Sequence, residues 1–530
     1  MGLFSAIRSR FASKPLNEAA SLIASPSPAV LEMVQKLRAQ VQNATYDAAR
    51  NSPDFARYWV NADAYDADSA NSREVRHTLI KRSRYELANN GYTNGIVQTY
   101  ATDLIGNAPS LRMQTGSTGF NRTVEIQWDL WCKAVGFRNK LWTMAHAKVV
   151  DGEAFGVIRR NIGINHPVKL DLVLHEAEQC QTPFLPIGVA GYVDGIKFDQ
   201  FGNPQWYDFL QNHPGASGNV TIDLKPEQVP SEFVLHWFKR RRPGQHRGVP
   251  ELSSTLQIGA AFRRLREANL ATAEKVAAWT LFLKTIFQPT EEEAEAVDAM
   301  SQLEIVHGMI TSLPNTVEPY QLKAEHPGPQ YGEFHQLLLN EVARPLNMPR
   351  NKAGCDSSSY NYASGRLDHQ TYYAGLDVDR EDCNDAVTEK LFYLWFTVAI
   401  KQFGWLGGDA SIVGPAARAH KWDWTKHRVA DVESEASANR TKLESAQVFL
   451  PQLFAEQGLD FEDEVDKAAA AFGVTGDEMR KRLLDATLKP TIASVSQQSS
   501  PSVEETVAAA IRNLARRNEP ARMNGAAHVN

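Results

Sequence analysis

The chain has 530 residues, of which 43% are hydrophobic and 22% charged, values that are ordinary for a folded globular protein. Its formal net charge of -6 argues against a protein that coats nucleic acid non-specifically, because such proteins are basic. The N-terminal apolar stretch is interrupted by Arg8 and Arg10, and no apolar run is long enough to span a bilayer. We therefore expect neither a secretory signal nor a membrane span.

Cysteine usage favours a reducing compartment. The chain contains four cysteines, too few and too scattered for a disulfide framework or a zinc site: Cys132, Cys180, Cys355 and Cys383.

The N-terminal half changes from helical to strand-like patterns. Residues 1–50 are polar with interspersed prolines and are interpreted as an arm. Residues 72–105 predict two helices broken at Asn89-Asn90-Gly91, since Asn and Gly tolerate the left-handed conformation that ends helices. Another helix is predicted around Arg122–Val135, with Ile126, Leu130 and Trp131 at helical spacing. Residues 152–238 alternate apolar and polar side chains and predict a β-rich block.

The C-terminal half is predominantly helical. One long helix rich in small residues is predicted from Pro250 to about Phe287, since Pro suits a first helical position. A charged, Pro-punctuated segment follows, with strand-like runs at Ile305–Leu313 and Val317–Leu322. Further predicted features are a helix over Tyr331–Leu346, a polar loop containing Arg350 and Lys352, a long helical region over 363–403, helices to about residue 488, and a polar tail with one short amphipathic helix.

A basic segment with five cations in nine residues, Lys239 to Arg247, raises the question of phosphate binding. The Walker pattern requires G-x-x-x-x-G-K-[ST]. Here the spacing between Gly244 and Gly248 is one residue short, and Val249-Pro250 stands where Lys-Ser is needed. The P-loop interpretation therefore fails.

Other patterns are weak candidates for chemistry. His175 begins a zincin-like HEAEQ stretch without the second His, and GASGN from Gly215 breaks the G-x-S-x-G pattern at Asn219. Trp422-Asp-Trp424 favours aromatic anchors at a loop-to-helix corner over a base-stacking platform. The acidic residues Asp377, Asp379, Glu381 and Asp382 favour solvated charges or salt bridges between subunits over metal ligands. We expect no catalytic residues, no cofactor and no metal.

Several stretches together resemble the portal proteins of lambda-type tailed bacteriophages. Their order and spacing carry the resemblance: RSRYELANNGYTNGIVQTYATDLIGN (82–107), QWDLWCKAVG (127–136), DGEAF (151–155), GIKFDQFGNPQWYDF (195–209), VLHWFKRRRPGQHRGVPEL (234–252), NEVARPLNMPRNKAGCDSSSYNYASGR (340–366) and KWDW (421–424). LANNGYTNG departs from the family's usual pattern in the first helix pair.

The resemblance implies an α+β, elongated subunit that assembles into a ring. The implied parts, in chain order, are an N-terminal arm (1–50), a wing (51–250), a first stem helix (251–287), a small β clip (288–329), a second stem helix (330–347), a tunnel loop (348–360), a long wing helix with its connection (361–419), crown helices (420–490) and a flexible C-terminal tail (491–530).

The implied function is structural. The family forms a ring, typically of twelve subunits, at one capsid vertex of the virion, assembled in the host cytoplasm, through which double-stranded DNA passes without sequence readout during packaging and ejection. The implied partners are other copies of the chain, the terminase large subunit, major capsid and scaffolding proteins, and a head–tail adaptor, with no membrane involved. The tunnel loop residues Arg350, Asn351 and Lys352 are expected to face DNA.

The basic segment then lies at the junction of wing and stem. Its Arg241, Arg242, Gln245 and Arg247 are expected to form a clamp with carboxylates, within the subunit or across to the next one, because arginine pairs bidentately with carboxylates. Direct DNA contact by this segment is the competing interpretation. For the whole chain, the alternatives are a non-portal virion structural protein and a DNA-processing enzyme.

Overall fold

The computed structural model of the chain describes residues 32, 56–182, 191–217, 225–278, 282–285, 317–320, 330–358, 360–408, 414–427, 432–445, 447–457 and 459–485. The chain divides into two compact units, Met1–Ala70 and Asn71–Asn530. The described part of the first unit contains a 3-10 turn, Ala56–Tyr58, and a short helix, α1 (Ala67–Ala70). Apart from residue 32, the expected arm over 1–50 lies outside the described residues, as does the expected tail over 491–530.

The second unit is mainly helical. Its helices are α2 (Arg73–Asn89), α3 (Gly91–Ile105), α4 (Thr118–Val135), α5 (Phe137–Val150), α6 (Leu256–Ala278), α7 (Tyr331–Ala343), α8 (Arg350–Gly354), α9 (Tyr362–Cys383), α10 (Glu389–Phe403), α11 (Val432–Glu444), α12 (Leu450–Glu456) and α13 (Phe461–Phe472). Residues 476–485 form a further helical segment. The predicted break between α2 and α3 is confirmed, and it falls at Asn90.

The strands form small antiparallel sheets. They are β1 (Ser110–Met113), β2 (Glu153–Arg160), β3 (Leu170–His175), β4 (Tyr192–Val193), β5 (Ile196–Phe198), β6 (Pro204–Leu210), β7 (Pro226–Pro230), β8 (Val234–Phe238), β9 (Phe282–Thr285), β10 (Val317–Tyr320) and β11 (His420–Asp423). One sheet has the order β3-β2-β8, a second has the order β4-β5-β6-β7, and β1-β11 and β9-β10 are two-stranded pairs. The β-rich block predicted over 152–238 is confirmed.

The central strand β2 is buried on both faces, because it lies between the helical core and the four-stranded sheet. Ala154 and Ile158 belong to the main hydrophobic core. Phe155 and Val157 belong to a second cluster, formed with the strands of the four-stranded sheet. Successive side chains of a strand point to opposite faces, so β2 contributes to both clusters.

Helix α4 buries a different face from the one its sequence suggests. Its tryptophans Trp128 and Trp131 are buried, and the ring of Trp128 lies edge-on to Trp395 of α10 at a centroid distance of 5.2 Å. By contrast, Ile126 and Leu130 are 44% and 46% exposed. The predicted helix is confirmed, but two of the three apolar residues used to predict it lie outside the core.

The single helix expected over 251–287 is wrong at both ends. Residues Glu251–Ser254 form a 3-10 turn before α6, and β9 replaces the last turn of the expected helix. Strand β9 pairs antiparallel with β10. Backbone groups of residues 282–285 therefore pair with a neighbouring strand rather than along a helix. The strand-like run predicted at 305–313 lies outside the described residues.

The long helical region predicted over 363–403 is present as α9, a π-helical segment and α10. The π-helical segment covers Asn384–Thr388, where the Thr388 hydroxyl donates to the backbone oxygen of Asn384 at 3.3 Å. From Tyr372 to Ile400 every fourth residue is buried. This region therefore presents one continuous series of side chains to the core.

The helices expected from residue 420 begin later than predicted. Residues 420–423 form β11, which pairs antiparallel with β1 so that Ser110 faces Asp423 and Met113 faces His420. Helix α11 then starts at Val432. Within the described parts of the chain, none of the helices has both the length and the apolar character needed to cross a membrane.

Candidate functional site

The basic segment folds back against the start of β2 through two glycines. Gly152 has φ +88°, a left-handed conformation that favours glycine, and a Cβ at Gly248 would overlap the backbone oxygen of Gly152. This close approach brings Arg247 into the interior, where its side chain is 1% exposed. A cation from the most basic stretch of the chain is therefore fully buried.

Arg247 is held by a carboxylate and by several carbonyl oxygens. Its Nη2 donates to Glu153 Oε1 at 2.6 Å and its Nε to Glu153 Oε2 at 3.0 Å. The backbone oxygens of Cys180 and Ala177 accept hydrogen bonds from Arg247 at 3.0 and 3.1 Å, and the backbone oxygen of Asp194 accepts another. This arrangement uses the planar guanidinium in full, because all three of its nitrogens donate.

Glu153 is the centre of the buried cluster. It also accepts from His236 Nε2 at 3.1 Å and from the backbone nitrogen of Gly248 at 2.9 Å, and Arg76 lies 3.7 Å away. Burial alone would raise the pKa of Glu153, but the Arg247 guanidinium and the hydrogen bonds from His236 and Arg247 outweigh it and hold that pKa well below its usual range. The ionised form of Glu153 is therefore favoured, and its carboxylate ties the basic segment to β2, β8 and α2.

The remaining expected clamp residues lie at the edge of this cluster. Gln245 is buried; its Oε1 accepts from the backbone nitrogen of Arg241 at 2.9 Å, and its Nε2 donates to the backbone oxygen of Arg247 at 2.9 Å. The Arg241 side chain pairs with Glu251 at the start of the 3-10 turn before α6. Arg242 is exposed, and its backbone nitrogen donates to Gln245 Oε1 at 3.3 Å. Gln245 thus holds the backbone between Arg241 and Arg247 in the turn that places the Arg247 side chain in the interior.

A second buried charge cluster lies beside the first and joins it to the long helical region. Asp379 on α9 accepts from Lys148 at 3.2 Å, from Lys239 at 3.3 Å and from the Tyr100 hydroxyl. Burial alone would raise the pKa of Asp379, but Lys148 and Lys239 outweigh it and lower that pKa. The expectation of a solvated or intersubunit charge is wrong for Asp379, which is 4% exposed and paired within the chain.

The expected tunnel loop is partly helical. Residues Arg350–Gly354 form α8, because Pro349 precedes the first helical residue and Cys355 ends the turn in a left-handed conformation. Arg350 donates to Gln336 at 2.8 Å, and Lys352 pairs with Asp103 of α3 at 2.6 Å. Asn351 Oδ1 lies 3.1 Å from His369 Nε2. All three expected DNA-facing residues therefore have partners within the chain.

Trp422 and Trp424 are anchors, in keeping with the preferred interpretation of that motif. The indole nitrogen of Trp422 donates to Glu389 at 2.7 Å, and that of Trp424 donates to Asn384 at 3.1 Å. Both rings pack against the main core. They attach the strand β11 and the residues after it to the long helical region.

One cluster among the described residues has the composition of a metal site. Glu176, Glu178 and His213 offer ligand atoms that lie within 4.8 Å of one another. The guanidinium of Arg84 lies 2.9 Å from Glu178 and 3.2 Å from Glu176, so both carboxylates already have a cationic partner. We therefore assign no metal to this cluster. His175, at the start of the HEAEQ stretch, packs against Phe209 with tilted rings at a centroid distance of 4.9 Å and does not belong to the cluster.

Sequence reasoning identified Arg247 and Gln245 but missed the residues around them. Glu153, Arg76 and Asp194 are distant in sequence and carry no motif of their own. The alternation predicted for residues 152–238 is wrong for β2, where the acidic Glu153 is followed by apolar residues and Gly up to Ile158, and this departure was the available signal. A carboxylate in such a strand is buried and needs a cationic partner.

The family of the chain follows from a family model that matches residues 55–380, described as "Phage portal protein, lambda family". The match covers more than half of the chain and includes both charge clusters and the whole of the basic segment. The chain belongs to the lambda family of phage portal proteins.

The solved structures to which the chain is similar include two necks of gene transfer agent (GTA) particles. The neck of an empty GTA particle computed with C6 symmetry is 13% identical, with a TM-score of 0.42, and the match covers 72% of this chain and 93% of that one. The neck of a native particle computed with C12 symmetry is 12% identical, with a TM-score of 0.39, over 73% and 94% of the two chains.

An HK97-family portal protein from Corynebacterium diphtheriae is also similar. It is 12% identical, with a TM-score of 0.25, over 55% of this chain and 85% of that one. No curated protein matches the chain.

Proposed function

We propose that the chain is the subunit of a portal ring, expected to contain twelve copies, that occupies one capsid vertex and conducts double-stranded DNA during packaging and ejection. The observation that carries this proposal is the family match over residues 55–380. In this role the chain is a structural component of the virion rather than an enzyme. The ring would assemble in the host cytoplasm and dock the terminase large subunit, the capsid and scaffolding proteins and a head–tail adaptor.

Within this proposal, the two buried charge clusters fix the start of α6 to the strand block. Arg247 pairs with Glu153 of β2, and Gln245 hydrogen-bonds the backbone of Arg247. Arg241 pairs with Glu251, in the 3-10 turn that precedes α6. Lys239 continues the contact to Asp379. The clamp function proposed for the basic segment is thus supported by contacts within one chain. Pairing of Arg242 with a neighbouring subunit is a further part of the proposal.

The region 348–360 is proposed to face the DNA channel through Arg350, Asn351 and Lys352. Both cations are half-buried and paired with side chains of the same chain, which limits how strongly they can hold phosphate. Weak holding suits a channel, since each additional phosphate contact adds steeply to affinity and would oppose sliding.

Ring formation is tested directly on the purified full chain. Native mass spectrometry and negative-stain imaging are expected to show closed rings of about a dozen copies with a central opening wide enough for duplex DNA. A species that stays monomeric or dimeric at high concentration, even with capsid and scaffolding proteins present, would contradict the proposal. Rings without a duplex-wide opening would favour a non-portal virion structural protein.

A further inference from the structure

The C-terminal helices, by which we mean α12, α13 and the helical segment 476–485, have a small hydrophobic cluster of their own. Val465 of α13 packs with Met479 of the last segment. The rings of Phe454 in α12 and Phe461 in α13 meet edge-on at a centroid distance of 5.5 Å. Among the described residues, none of their side chains belongs to the main core. The C-terminal helices therefore have an interior separate from that of the body of the chain, which runs from α2 to the residues just after β11.

The contacts between the C-terminal helices and the body include three cations of the body. Arg122 of α4 lies 3.0 Å from Asp463 and 3.1 Å from Asp466 of α13. Arg112 of β1 pairs with Asp460, which caps the start of α13. In these contacts the body contributes the cations and the C-terminal helices contribute the carboxylates.

The third cation, Lys426, follows β11 and contacts α12. Its Nζ lies 3.1 Å from Glu456 of α12 and 3.1 Å from Glu435 of α11. Its backbone nitrogen also donates to the backbone oxygen of Glu456 at 2.7 Å. The same pairing of a body cation with a carboxylate of the C-terminal helices thus occurs at both α12 and α13.

The carboxylates at the start of α13 also stabilise that helix by itself. Asp460 accepts from the backbone nitrogen of Asp463 at 3.0 Å, and Glu462, Asp463 and Glu464 lie in the first turn. Negative side chains there interact favourably with the positive end of the helix. Loss of the contacts to the body would therefore leave α13 with stabilising contacts of its own.

A cavity of about 760 Å³ lies between α4 and α13. Charged side chains line it from both helices, among them Asp129 and Lys133 of α4 and Glu464 and Lys467 of α13. A cavity lined by charged groups favours water over packed apolar side chains. The ion pairs of Arg122 are accordingly solvated, with all three side chains between 44% and 50% exposed.

Solvated ion pairs are weak and depend on ionic strength. The Debye length falls from about 10 Å at 0.1 M salt to about 3 Å at 1 M, so salt screens contacts of this kind. Hydrophobic burial does not depend on charge and is not weakened by the same screening. The body and the C-terminal helices are therefore joined by salt-sensitive contacts, while the interior of each is apolar.

We propose that the C-terminal helices are a movable subdomain, docked on α4 and β1 through these ion pairs, that undocks as a folded piece when the ion pairs are screened or removed. Undocking opens the cavity and exposes Arg112, Arg122 and the carboxylates of α13. The main core is unchanged, because the C-terminal helices contribute none of its described side chains. The proposal concerns contacts within one chain and does not depend on ring formation.

The first test measures the distance across the cavity in the full-length chain. Spin labels are placed at Lys133→Cys on α4 and Lys467→Cys on α13, in a Cys132→Ala, Cys355→Ser background diluted with unlabelled chain. The two lysines are 71% and 70% exposed and pair within their own helices, so their replacement leaves the docking contacts in place. A short distance is expected at about 0.1 M NaCl, with a longer one gaining population towards about 1 M. A distance that does not respond to salt would overturn the proposal.

A pair of charge reversals separates the docking contacts from a general effect of charge. Arg122→Glu is expected to populate the longer distance already at low salt. Arg138→Glu is the matched control, since Arg138 also lines the cavity but donates to the backbone oxygen of Gly106 in the body. Combining Arg122→Glu with Asp463→Arg and Asp466→Arg is expected to restore the short distance. Equal effects of the two single reversals, or no effect of Arg122→Glu, would contradict the proposal.

The second test asks whether the C-terminal helices stay folded when they undock. By hydrogen exchange, peptides covering 461–472 are expected to exchange in Arg122→Glu at nearly the wild-type rate. Val465→Asp disrupts the cluster within the C-terminal helices and is expected to raise exchange there several-fold. An equally large rise in Arg122→Glu would mean that the helices unfold rather than move, and would overturn the proposal as stated.

Discussion

The Arg247 side chain is completely buried and has a full set of hydrogen bonds, as a buried guanidinium requires. Its guanidinium joins the basic segment to Glu153 of β2 and to backbone oxygens near Cys180 and Asp194. Such a side chain is costly to bury and more costly to leave half-paired. Arg240, a few residues earlier, is exposed and lies over the ring of Phe238 at 5.5 Å. Within one short segment, one arginine is therefore a buried, fully paired side chain and another is an exposed surface cation.

The substitution Arg247→Met is expected to lower the free energy of unfolding by about 3–5 kcal/mol, because it leaves Glu153 buried without its main cationic partner. Urea unfolding followed by tryptophan fluorescence measures the change. The matched variant Arg240→Met removes an exposed cation from the same segment and is expected to change stability by about 0.5 kcal/mol or less. Equal effects of the two substitutions would show that the Arg247 contacts contribute little.

His420 provides a pH-dependent contact between β11 and α10. Burial alone would lower the pKa of His420, but Glu389, whose carboxylate lies 3.1 Å away, and the backbone oxygen of Arg418 outweigh it and raise that pKa above its usual value. A raised folded-state pKa means that the protonated form is favoured by folding. The stabilisation is complete below the unfolded-state value and is lost as the pH rises through the folded-state value.

We expect the melting temperature of the wild type to exceed that of Glu389→Gln by more at pH 6 than at pH 8. The glutamine keeps an acceptor for the indole of Trp422 but removes the charge that His420 needs. Comparing the two proteins at each pH cancels the pH effects of all other groups. A difference that is the same at both pH values, or larger at pH 8, would be incompatible with this assignment.

At the level of secondary-structure elements, the basic segment can cross the start of β2 closely because position 248 is a glycine. A Cβ at Gly248 would lie 2.7 Å from the Cβ of Glu153, in addition to overlapping the backbone of Gly152. Neither neighbour can move without disturbing the anion at the centre of the first charge cluster. The position therefore couples backbone geometry to the placement of Glu153 and Arg247.

Gly248→Ala is expected to destabilise the chain strongly, with loss of soluble protein or a melting temperature well below that of the wild type. Gly119→Ala, in the first turn of α4, meets nothing within 4 Å and is expected to be neutral or stabilising by up to about 1 kcal/mol. Thermal unfolding of the two variants separates a steric effect from a general effect of replacing glycine. A mild effect of Gly248→Ala would mean that the two segments can separate without loss of the fold.

Sequence patterns predicted the elements that bury one face and expose the other, and they missed an element that is buried on several sides. Sequence patterns located the β-rich block and the break between α2 and α3, although Asn90 at that break is extended, with φ -126°, rather than left-handed as expected. Helix α5 was missed because it is buried on several sides and includes a buried cation, Lys148, so its sequence shows no single polar face. The burial of Lys148 depends on Asp379, 231 positions later, a pairing that no local pattern contains.

At the scale of the whole molecule, the proposed DNA-facing region also connects α8 to α3 and α9 through side-chain contacts. Lys352 pairs with Asp103 of α3, and Asp103 also accepts a hydrogen bond from Tyr372 of α9 at 3.1 Å. A loss of function after removal of Lys352 could therefore reflect a lost brace or a lost phosphate contact. The partner residue separates these two explanations, because its removal leaves the cation in place.

We expect Arg350→Gln combined with Lys352→Gln to leave rings intact but to reduce the yield of packaged DNA. Asp103→Asn breaks the ion pair while keeping both cations, and it is expected to package normally. Packaged DNA per particle and ring integrity by electron microscopy are measured for both variants. An equal loss of packaging in Asp103→Asn would show that the region acts through its structural contacts. Full packaging in the double variant would show that Arg350 and Lys352 do not contact the DNA.

The π-helical segment Asn384–Thr388 has a consequence for comparing this chain with its relatives. A π-helical turn accommodates one additional residue within an α-helix while the flanking turns keep their orientation. Deletion of one residue between 384 and 388 would restore an unbroken α-helix and leave Tyr372 and Phe392 facing the core as they do now. In an alignment of family members, a single-residue gap is therefore expected at this position.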